Sequence, residues 1–103
     1  MKEKVLYSRN SEGNYEVAVG AIDDWGAFEK LMKYLISIHG AEVIDLAEGP
    51  DMTVCCLLLQ EEKIDLVYAD DYGNYLTAHS AAGERLITAI GKELEICFHY
   101  LPS

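Results

Sequence analysis

The densest run of side chains with chemistry to offer is Asp70-Asp71-Tyr72-Gly73-Asn74-Tyr75, which sets two carboxylates, two phenols and an amide within six residues. Oxygen ligands on a turn can hold a cation. A calcium loop, however, spaces its ligands at alternate positions and closes on a distant glutamate, and this run does neither. Nucleophilic catalysis requires a Ser or Cys activated by a neighbouring base. His39, His79 and His99 fall in a helix end, a turn and the tail, and nothing in their spacing makes them converge with a serine. The glycines are scattered, with no glycine-rich loop followed by a phosphate-binding lysine. What this run suits is recognition: tyrosine is common at binding hot spots, and carboxylates pair with Arg and Lys. With Glu61, Glu62 and Asp65 just upstream, Asp70, Asp71, Tyr72 and Tyr75 make up the candidate partner-binding surface. No catalytic residue, metal ligand or cofactor site is expected.

These residues need a scaffold, and the hydrophobic pattern supplies one. Ile64, Leu66 and Tyr68 alternate with Asp65, Val67 and Ala69, the period of two of a strand with two different faces. Gly73-Asn74 is turn chemistry, so the strand is expected to bend there and return through Leu76. Thr53–Gln60 is apolar on both faces and reads as a central strand, in which a charge at Leu58 is expected to abolish folding. Glu61-Glu62 is expected to connect it to the strand that follows.

Upstream, Lys4–Tyr7 reads as an edge strand and Tyr15–Ala21 as a second strand, with Tyr15, Val17 and Val19 on one face. Asp23-Asp24 is expected to open a helix whose stripe is Phe28, Leu31, Met32, Leu35 and Ile38, closed by His39-Gly40. Ala41–Ala47 is a strand expected to turn Ile44 and Leu46 to the core. A second helix after Thr77–Ser80 carries the stripe Ala82, Leu86, Ala89, Ile90 and Leu94, and Ile96–Leu101 alternates as a final strand would. Gly83 and Gly91 weaken that helix unless they mark close packing on the sheet. The expected fold is therefore α+β: one domain over residues 1–103, with a mostly antiparallel sheet of four to six strands and two helices packed on one face.

Charge narrows the partner. Eighteen acids against eight bases leave a net charge of −10. Nine of those acids lie between Glu42 and Asp71, with Lys63 the one base among them. Such a field repels nucleic-acid phosphates and anionic membranes, and it accelerates encounter with a basic protein. Cys55, Cys56 and Cys97 lack the spacing of a metal site or a disulfide framework, so reduced thiols in a cytoplasmic protein are expected. The longest apolar run, Val54–Leu59, is far shorter than the roughly 20 residues a membrane helix requires.

A small, acidic α+β chain with an apolar strand running into LVYADDYGNYL (Leu66–Leu76) resembles the immunity proteins of bacterial contact-dependent toxin systems. It is equally similar to other small bacterial domains of about this length. The resemblance implies a non-catalytic cytoplasmic protein that binds and occludes a basic toxin or nuclease domain. The alternative expectation is a small-molecule-binding or regulatory domain, as a monomer or a homodimer, that uses the sheet face left open by the helices. Acids gathered on one side favour the first; polar groups converging in an apolar cleft favour the second.

Overall fold

A computed structural model describes residues 5–9, 11–19, 25–69 and 73–97. The chain runs β1 (Val5–Arg9), β2 (Tyr15–Val19), α1 (Trp25–His39), β3 (Glu42–Glu48), β4 (Met52–Leu59), β5 (Glu62–Ala69), β6 (Gly73–Ala78) and α2 (Ala81–Cys97). The six strands form one antiparallel sheet in the order β1-β2-β6-β5-β4-β3. Both helices pack on the same face, which is the expected α+β fold.

The order follows from one long connection and otherwise short ones. From β2 the chain must reach β3 at the far edge, four interstrand spacings or roughly 19 Å away. The fifteen residues of α1 span about 22 Å, enough for that crossing. β3, β4, β5 and β6 then fill the gap strand by strand until β6 closes on β2.

The core lies between the helices and one sheet face. Val17, Leu76, Leu66 and Cys55 stand opposite one another across β2, β6, β5 and β4, and all are buried. α1 lays Phe28, Leu31 and Leu35 on this layer, Phe28 meeting the Tyr68 ring edge-on at 6.4 Å. The Cys55 thiol points at Met32 Sδ (3.7 Å). Gly40, at φ +70°, ends α1: its amide donates to the Ile36 carbonyl and the Ala41 amide to Leu35. Ser80 caps α2, accepting from the Gly83 amide at 3.0 Å while donating to Glu62 Oε1 at 2.6 Å. His39 Nε2 donates to Glu93 Oε1 (2.9 Å) and ties the two helices together.

Several expectations change. β4 is an interior strand, but it lies one place from the edge, and β5 and β6 hold the centre. Its core-facing residues are Cys55, Leu57 and Leu59, whereas Leu58 is half-buried on the opposite face. Since both faces of Val54–Leu59 are apolar, alternation alone could not tell which side the helices would cover. The tight turn is Gln60-Glu61, not Glu61-Glu62; Glu62 already pairs with Leu59 as the start of β5. Both turn residues have positive φ (51° and 69°), the pattern of a type I′ hairpin, which costs a residue with a Cβ about 1–2 kcal/mol each. Gly73 has the positive φ expected of it (86°), but Gly73 and Asn74 open β6 and are buried rather than forming the turn.

β3 departs furthest from expectation. Ile44 and Leu46 do not join the core: Leu46 lies on the helix side of the sheet opposite Cys55, yet every residue of β3 is exposed. Ile38, in the last turn of α1, is exposed as well. In α2 the buried line is Gly83, Ile87, Ile90, Gly91 and Leu94, while Ala89 is exposed. The glycines do mark close packing: a Cβ on Gly91 would come within 2.9 Å of both the Tyr7 ring and Val17 Cγ1. α2 continues through Ile96 to Cys97, so a strand starting at Ile96 is not formed, and residues 98–101 lie outside the described residues. Asp23-Asp24, expected to cap α1, also lie outside them.

Candidate partner-binding face

Facing away from the helices, the sheet presents two cross-strand rows, because residues directly opposite on paired strands share a face. The polar row runs Ser8, Glu16, Thr77, Asp65, Cys56 and Asp45 through β1, β2, β6, β5, β4 and β3. Beside it runs an apolar row of Leu6, Ala18, Tyr75, Val67, Val54 and Ala47. Three carboxylates therefore line one stripe and an aromatic sits at the middle of the next.

Asp65 is the hub of the polar row. His79 Nε2 donates to its Oδ2 at 2.8 Å, and its side chain remains only 15 % exposed. The neighbouring Cys56 thiol is pushed up to about 11, first by hydrogen bonding to Asp65, then by burial and by the charges of Asp65 and Asp45. Burial also raises Cys55. A thiol held neutral is a poor nucleophile and a poor metal ligand at neutral pH. Among the described residues, no three His, Cys, Asp or Glu side chains are grouped to hold a metal ion. None of the described helices is long and apolar enough to cross a membrane.

The candidate residues separate along β5. Asp65 and Tyr75 meet in adjacent rows of the open face. Glu62 stands at the head of β5, engaged by Ser80, and Glu61 is exposed in the turn before it. Asp70, Asp71 and Tyr72 lie outside the described residues. The strand ends flanking them, Ala69 and Gly73, pair at the other end of β5, about 23 Å from its head.

The sequence reading missed the acids of β3. Glu42, Asp45 and Glu48 are exposed, as are Asp51 in the β3–β4 turn and Glu61 in the β4–β5 turn. The exposed bases are mostly elsewhere: Lys30 and Lys33 on α1, Arg9 on β1, and Arg85 and Lys92 on α2, with Lys63 on β5. Arg9 is itself paired with Glu84 (2.9 Å), which raises the guanidinium and lowers the carboxyl. Lys92 lies over the Tyr7 ring at 4.9 Å. The negative field is thus concentrated on the β3–β4 side of the molecule. Those acids were visible in the charge count, and the alternation of β3 turned Asp45 outward, but the pattern of a half-buried strand gave no sign that both faces of β3 would be exposed.

One concavity deserves comparison with a ligand site. It is a shallow, open depression of about 450 Å³ between Tyr15 and the outer side of α2, lined by Ala81, Glu84, Arg85, Thr88 and Ala89. Its lining is more apolar than polar, and the one carboxylate in it, Glu84, is already engaged by Arg9. No family model, curated protein or solved structure matches this chain.

Proposed function

We propose that this is a non-catalytic cytoplasmic binding protein of the immunity type, which occludes a basic toxin or nuclease domain with its acidic sheet. The observation that most supports this reading is the segregation of charge. Exposed acids collect on β3 and on the β3–β4 and β4–β5 turns, while most exposed bases lie on the helices and β1. Opposed fields of this kind steer a basic partner into register and raise its association rate. Tyr75, flanked by Val67 and Ala18, offers an amphipathic anchor for the contact once formed.

Two kinds of variant separate these roles, measured as binding kinetics on the partner captured with this chain from its source organism. Glu61→Lys combined with Asp65→Asn should slow association several-fold and flatten its dependence on salt, with little effect on dissociation. Tyr75→Ala should leave association alone and speed dissociation roughly tenfold, equivalent to about 1.4 kcal/mol. Retained folding is checked first by thermal unfolding. Wild-type rates in both variants would remove the open face as the contact.

A further inference from the structure

Among the described residues, β3 is the one element exposed along its whole length, and it pairs on one side only, with β4. It is seven residues long, and Val43, Ile44 and Leu46 are 41 %, 49 % and 45 % exposed. An edge strand turns alternate backbone N–H and C=O groups away from its neighbour, leaving them free to pair with another strand. α2 lies mainly over β1, β2, β5 and β6, and α1 mainly over β5, so both helices are centred away from this edge.

The side chains restrict what could pair there. By register, Glu42, Asp45 and Ala47 fall on the open-face side, whereas Val43 and Leu46 fall on the helix side, along with Glu48. The register shift between Val43 and Asp45 places Ile44 at a bulge. A second copy of this chain is a poor occupant. Each β3 carries three acids and no base, so pairing two would bring six carboxylates together, and like charges set opposite each other destabilise a strand pair. An extended strand with basic side chains on one face and apolar ones on the other matches both sides of β3.

We propose that the β3 edge accepts such a basic, amphipathic segment of a partner protein as a seventh strand. This rests on the reading of a basic partner and adds where that partner's backbone is bound. Main-chain hydrogen bonds supply the attachment, and alternate side chains supply the selectivity.

The test uses the whole chain, ¹⁵N-labelled, titrated with a capped octapeptide alternating Lys and Val. Two further peptides carry N-methyl groups on either all the Lys amides or all the Val amides. Amide shifts should concentrate on residues 42–48. One methylated peptide should lose at least tenfold in affinity while the other binds like the parent, because only one set of amides can face the edge. Equal binding by all three peptides, shifts centred on Asp65 and Tyr75, or no shift up to about 1 mM peptide would each overturn the proposal. So would a dimer of the free protein, detected by sedimentation, that buries β3. Loss of the edge site with the Tyr75 and Glu61 effects intact would leave the open-face reading standing; the reverse result would leave the edge alone.

Discussion

Cys56 shows how a single position on the open face is conditioned by its neighbours. Hydrogen bonding to Asp65, burial and two flanking carboxylates all favour the neutral thiol and bring it to about 11 from an ordinary 9.0. A group whose folded-state value is raised contributes stability that is complete below its unfolded value and disappears as pH climbs through the folded one. Stability should therefore fall between about pH 9 and 11, and Cys56→Ala should flatten that part of the profile, followed as urea midpoints. Tyr7 continues the trend at higher pH, since burial and Glu95 push its phenol up to about 12. The same shift makes the thiolate about a hundredfold scarcer at neutral pH. Alkylation of Cys56 at pH 8 should accordingly be about a hundredfold slower in the folded chain than in urea, as read by mass spectrometry. Equal rates would show that the acid row does not act on the thiol.

Among the elements, β4 makes the sharpest contrast, because two adjacent leucines have opposite fates. Leu57 is fully buried under the helices, and Leu58 is half-buried on the open face opposite Lys63 and Glu42. Leu57→Asp should eliminate cooperative unfolding, since an unpaired buried charge consumes most of a stability margin of about 5–15 kcal/mol. Leu58→Asp should retain a cooperative transition at a cost of roughly 1–2 kcal/mol. Circular dichroism melts decide between them, and the reverse ranking would mean that the two faces of β4 are exchanged. The helices illustrate a second point. Gly83 and Gly91 weaken α2 as an isolated helix, yet both are buried on its sheet-facing side, where Tyr7 and Val17 approach Gly91 too closely for a side chain.

At the scale of the molecule, charge is spread over a body of 33 × 30 × 28 Å. The Debye length is about 30 Å at 0.01 M salt and about 8 Å at 0.15 M, so nearly every charge senses the others in the first condition and few do in the second. With a net charge of −10, screening should relieve more repulsion than it removes attraction from exposed pairs such as Arg9–Glu84. Stability should rise by on the order of 1 kcal/mol over that range, lifting the melting temperature by roughly 4–8 °C. A falling melting temperature would mean that the ion pairs outweigh the net field.

The amino-acid sequence by itself determined most of the segments that become strands and helices, Ile96-Cys97 being helical where a strand was expected. The alternation of Ile64, Leu66 and Tyr68 with Asp65, Val67 and Ala69 put the two sets on opposite faces, and His39-Gly40 marked the end of α1. These are local properties, set by side-chain period and backbone sterics over a few residues. Tertiary structure alone decided what each face would meet. Glu42–Glu48 has the pattern of a half-buried strand, yet it is exposed throughout because the sheet order sends it to an edge away from the strands that the helices mainly cover. Ile87 joined the core and Ala89 did not, because the rotation of α2 is fixed by where Gly91 can approach β1 and β2. Burial depends on neighbours distant in sequence, and a strand carries no local signal of which strand, helix or solvent will lie beside it.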